Sequence, residues 1–147
     1  MTNNLRTPID KMTEPQREWF ASAMIAMILA DGGIEKNEVE ALMQAISFVK
    51  NPHAVDRLKK FIHFMAPPTL SPFHGWEHEH KYRALMLIDL MTVAIADRNF
   101  SPKEREQFHR IGALLGFPDN KVNELIHMGD QFIERMEHDK EPSGPVS

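Results

Sequence analysis

The chain repeats itself. A shift of 66 residues lays Ala30-Asp31-Gly32-Gly33-Ile34-x3-Glu38-x-Glu40-x-Leu42 on Ala96-Asp97-Arg98-Asn99-Phe100-x3-Glu104-x-Glu106-x-Phe108, and lays Pro52 on Pro118. Each copy is an apolar run, a turn headed by aspartate, and a new helix with an early carboxylate. A helical domain built from two such copies is able to bring both Asp/Glu pairs close together.

The 147 residues fit one domain and suffice to bury a sizeable core. A net charge of −4 gives no global pull towards nucleic acid, so no nucleic-acid partner is expected. There is no cysteine, which excludes disulfides, thiol nucleophiles and cysteine-ligated zinc. The first residues lack the apolar stretch of a signal peptide, and a cytoplasmic location is expected. The longest apolar stretch, Ala84 to Ala96, contains Asp89 and falls short of the roughly 20 residues needed to span a bilayer, so it reads as a buried helix.

Punctuation along the chain predicts an all-α, single-domain bundle of about six main helices, arranged as two pseudo-symmetric three-helix repeats. Residues 1–12 read as a flexible polar arm, 13–139 as the helical domain, and 140–147 as a disordered tail. Repeat one covers 15–66, a linker 67–75, and repeat two 76–139. Thr13, Pro15 and Gln16 open the first helix with a capping box, and Gly32-Gly33 ends it near Ala30. The second runs from about Glu35 to Val49 with Val39, Leu42, Met43, Ile46 and Val49 inward. Asn51-Pro52 opens the third, with Leu58, Phe61, Ile62 and Met65 inward. Helix four spans roughly Trp76 to Ala96; Ser101-Pro102-Lys103-Glu104 caps helix five; Pro118-Asp119 opens helix six, which runs to about His138.

Asp31-Gly32-Gly33-Ile34-x3-Glu38 has the spacing of the second half of an EF-hand loop, where an Asp precedes the turn glycine and a Glu closes the site. The first half is missing, because Met27 and Leu29, like Val93 and Ile95 in the second copy, cannot ligate calcium. Two half-loops that meet would pool Asp31, Glu38, Asp97 and Glu104, and those charges would repel unless a divalent metal ion or protons neutralised them. A purely structural reading uses the same residues. Glu104 stands at the capping-box position, Glu38 in a first helical turn, and Asp31 and Asp97 where a side chain bonds turn amides.

These residues resemble the TerB-like family, the helical domain of tellurite-resistance proteins that also recurs in some DnaJ-like co-chaperones. The likeness covers about residues 15–135 and is carried by Ala30-Asp31-Gly32-x-Ile34-x3-Glu38-x3-Leu42, Ala96-Asp97-x2-Phe100-x3-Glu104 and Leu114-Leu115-Gly116-Phe117. It implies an all-helical domain linked to tellurite and chemical stress at the inner face of the membrane; a non-enzymatic role with a protein partner or a membrane-associated complex is the expectation. It also implies that Asp31, Glu38, Asp97 and Glu104 take part in divalent metal binding. Arg98 departs from the family's glycine, and the histidine-bearing linker departs from its motif.

Other residues leave further readings open. His74, His78 and His80 cluster, but Gly75 argues against one helix holding them, and a solvated helix start with Trp76 against the core accounts for them. Asp89, whose first-copy counterpart is Ala23, needs a partner if buried. Lys50, Arg57, Lys59 and Lys60 make helix three mildly basic, as a solvated face or a contact for anionic lipid or an acidic partner. No catalytic signature is present, so no catalytic residue is assigned. A metal-free protein–protein interaction module with a groove lined by methionine-rich helices is the alternative. A metal-dependent hydrolase is a third, without a marked nucleophile or base.

Overall fold

The computed structural model describes residues 5–32, 34, 38–96 and 98–140. Among them are one 3-10 turn, Ile9–Lys11, six α-helices and no strand: α1 Glu14–Leu29, α2 Val39–Ser47, α3 Pro52–His63, α4 His80–Ala94, α5 Pro102–Leu114 and α6 Asp119–Lys140. The chain is all-α, as expected. No helix of the described residues is long and apolar enough to cross a membrane.

Helix α1 starts on the expected capping box. The Gln16 N–H donates to Thr13 Oγ1 at 3.3 Å and the Thr13 N–H to Gln16 Oε1 at 2.9 Å. Every residue from Phe20 to Leu29 is then buried, so α1 has no solvent face beyond its first turns. It forms the axis of the molecule, packed by α2, α3, α4 and α5. A helix that is apolar all round must lie inside, and this run of Phe, Met, Ile, Leu and Ala is one. Helix α4 is the second largely buried element, with Met86, Leu87, Leu90, Val93 and Ala94 inside and Thr92 exposed. The expectation of a buried helix here holds.

Around this pair the other helices are one-sided. In α2, Leu42 and Ala45 are buried, followed by Phe48 and Val49. Val39 and Met43, expected inward, are 48% and 67% exposed. They lie four residues apart along the edge of a stripe whose buried centre is Leu42, Ala45 and Val49. Glu14 fixes the next corner, accepting the Lys50 N–H at 3.2 Å and the Asn51 N–H at 3.1 Å. Asn51 caps α3 through the His53 and Ala54 N–H groups. Met65 was also expected inward, but it takes the left-handed turn that ends α3, with φ 53°, and is 40% exposed.

The linker is a packed element. The Trp19 indole N–H donates to Ser71 O at 2.7 Å, the Phe73 N–H to Leu114 O at 3.0 Å, and Gln16 Nε2 to His74 O at 3.0 Å. Phe73 is buried against Trp19, Trp76 and the Arg83 guanidinium. Helix α4 begins at His80 rather than Trp76, because Gly75 and Trp76 both have positive φ, 123° and 58°. That conformation cannot enter a right-handed helix. The arm, expected to be flexible, is tied down over residues 5–12: Thr7 and Met12 are buried and Ile9 packs on the core. Residues 35–37, where the second helix was expected to begin, and the tail 141–147 lie outside the described residues.

Candidate metal centre

The site is built where α1 ends and α5 begins. Beyond Leu29 the chain turns through Gly32, whose φ is 83° and whose N–H donates to Leu29 O at 2.9 Å. The second turn repeats this at the corresponding residue. Arg98 has φ 62°, and its N–H donates to Ile95 O at 2.9 Å. Arginine thus adopts the conformation for which the first copy uses glycine, at a steric cost of about 1 kcal/mol.

Ser101 and Glu104 close the α5 N-terminus as a complete capping box. The Glu104 N–H donates to Ser101 Oγ at 3.1 Å and the Ser101 N–H to Glu104 Oε1 at 2.9 Å. The Ser101 hydroxyl in turn donates to Asp31 Oδ1. Asp31 is exposed, whereas Glu104 is 1% exposed and Glu38 is 3% exposed. Glu38 is the residue before α2 and does not cap that helix with its side chain. The two buried glutamates, equivalent in sequence, therefore play different local roles. Asp31 and Glu104 both bring negative charge to the positive end of the α5 dipole.

The structure thus brings Asp31 of the first turn to the capping group of the second. Asp97 lies outside the described residues. Among the described residues, no group of three His, Asp or Glu side chains stands together so as to hold a metal ion. The donors at this corner are hard: carboxylates and one hydroxyl, with no thiol or imidazole. They match calcium, magnesium or manganese better than a soft cation.

A cleft of about 440 Å³ opens beside the corner, between Pro67, Pro68 and Leu70 of the linker and Lys103, Glu106 and Arg110 of α5. His74, His78 and His80 are all exposed. Trp76 stacks edge-on against Tyr82 with ring centroids 5.0 Å apart and half-buries itself, as the solvated-start reading requires. On the basic helix α3, Arg57 is held by Glu18 of α1 at 2.9 Å and 3.0 Å, leaving Lys59 and Lys60 exposed.

Sequence reasoning missed Arg83. Its guanidinium donates to Gly75 O at 2.7 Å, Leu115 O at 2.8 Å and Phe73 O at 3.3 Å, joining the linker to the end of α5. The available signal was an arginine one turn into α4, immediately ahead of its apolar run. Glu77, 3.6 Å from Arg83, has its carboxyl held below the ordinary 4.5 by the Gly75 N–H, then by its own N–H and by Arg83. Compared with protein-family models, curated proteins and solved structures, the chain matches none.

Proposed function

We propose that this chain is a non-enzymatic, TerB-like helical domain that binds a divalent cation at the corner between α1 and α5, in a chemical-stress or scaffold role. The observation that carries the reading is the hydrogen bond from Ser101 to Asp31 Oδ1, which puts the acid of one turn on the cap of the other. The shared left-handed geometry of Gly32 and Arg98 supports the reading of the chain as two related repeats. In this reading Asp31, Glu38, Asp97 and Glu104 supply oxygen ligands. The ion would neutralise their charge and brace the two turns; no reaction is assigned to it.

Calorimetric titration with calcium, magnesium, manganese and zinc tests the proposal. Binding of a hard cation is expected, and its loss in an Asp31→Ala/Asp97→Ala double variant. Flat titrations with every cation would leave the second reading, a metal-free interaction module. A separate observation favours that reading: Met43, Phe64 and Met128 are 67%, 70% and 60% exposed, more than folding alone requires of such side chains.

A further inference from the structure

Asp89 is the only acidic residue of α4, and at 2% exposure it sits among Met86, Leu87, Leu90 and Val93 of the same helix, all buried. Its hydrogen-bond partners among the described residues all belong to two adjacent residues of the N-terminal arm. The Arg6 N–H donates to Oδ1 at 2.9 Å and Oδ2 at 3.0 Å, the Thr7 N–H to Oδ2 at 2.8 Å, and the Thr7 hydroxyl to Oδ2. Thr7 itself is 3% exposed. At the far end of the arm Met12 is buried in the core, at 5% exposure, and Leu5 and Ile9 pack against that core. Arg6, Asp10 and Lys11 are exposed, Leu5, Pro8 and Ile9 half-buried, and Arg17 of α1 donates to Ile9 O at 3.2 Å.

A carboxylate buried in an apolar helix is costly unless donors surround it. An alanine, which the first copy has at the corresponding position 23, would need none. Here every donor comes from one short segment ahead of α1, which Met12 anchors in the core at its far end. Such a segment can lift by local opening while the bundle stays folded, and water then replaces its amides around the carboxylate. An apolar plug would lack that solvated open state. We infer that residues 5–11 form a releasable strap, clasped by Asp89 and hinged at the buried Met12, whose opening bares the surface of α4 around Asp89 and of α1 around Arg17.

Amide hydrogen exchange on the full chain tests this. In the wild type, the Arg6 and Thr7 amides are expected to exchange at least tenfold faster than those of Met24 to Ile28, with little dependence on low urea. Asp89→Asn should raise their exchange a further tenfold or more and speed trypsin cleavage after Arg6 and Lys11, with α1 unchanged. Thr7→Val should act in the same direction by a smaller factor, and Thr7→Ser should restore the wild-type rate. The inference is overturned if the two wild-type amides exchange only by global unfolding. It is equally overturned if Asp89→Asn leaves the arm as protected as before, or if Asp89→Asn and Thr7→Val both unfold the whole chain.

Discussion

The Ser101 hydroxyl donates to the Asp31 carboxylate across 70 residues of sequence. The same oxygen accepts the Glu104 N–H at 3.1 Å, so a single hydroxyl joins the end of α1 to the start of α5. Negative charge from Asp31 therefore reaches an N-terminus that its own helix had already supplied with Glu104. Capping and cation binding make different demands on these residues, and substitutions separate them.

Glu104→Gln keeps an amide oxygen for the Ser101 N–H, and glutamine serves in a capping box. Stability should fall by less than in Ser101→Ala, while any cation affinity should drop at least tenfold. Ser101→Ala removes both the cap and the link to Asp31 and should cost about 1–2 kcal/mol. Urea denaturation with and without calcium measures both outcomes.

The two turns predict opposite responses to glycine exchange. Arg98→Gly relieves an arginine at φ 62° and should stabilise by about 0.5–1 kcal/mol. Gly32→Ala meets no atom within 4 Å, so only its φ of 83° resists it, and a loss of about 1 kcal/mol is expected. Denaturation midpoints should move in opposite directions.

Helix contacts at two other glycines should differ in tolerance. A Cβ at Gly112 of α5 would stand 2.6 Å from Val122 Cγ2, on a stiff β-branched side chain. Gly112→Ala should cost about 1–3 kcal/mol. At Gly129 of α6 the obstacle is Met91 Sδ at 2.7 Å, on a chain able to swing aside. Gly129→Ala should cost clearly less in the same unfolding assay.

Arg83 should resist conservative replacement. Lysine reaches one of the three carbonyls at Phe73, Gly75 and Leu115 and leaves others without a donor, so Arg83→Lys should cost about 1–3 kcal/mol. Glu77 provides a spectroscopic check. Its folded-state titration should fall below 4.5, chiefly because the Gly75 N–H bonds the ionised form. The associated stabilisation is present above 4.5 and fades as pH falls through the lower folded value. Carboxyl NMR titration should show the midpoint rising only part-way in Arg83→Gln, since the Gly75 amide remains.

Helix boundaries set by local chemistry were legible. Thr13, Asn51 and Ser101 cap where their side chains reach nearby amides, and each does so within a few residues of its own position. The helix class and the burial of most of 86–95 followed from apolar run length. What failed depended on which neighbour arrives. Val39 and Met43 are apolar and correctly spaced, yet only the centre of their stripe, at Leu42 and Ala45, is buried. Trp76 reads as a helix start until two positive φ values delay α4 to His80. Asp89 announced a need for a partner but not that it would be main chain from Arg6 and Thr7. Of the proposed ligands, Asp31 meets the second turn through Ser101, a residue the sequence marked only as a cap.

Ten consecutive sealed residues in α1 carry a burden for biogenesis. This stretch leaves the ribosome before α4 and α5, two of its four covers, have been made. The nascent chain therefore displays a sticky rod for much of its synthesis, and slow translation or scarce holdase protection should favour aggregation over native yield.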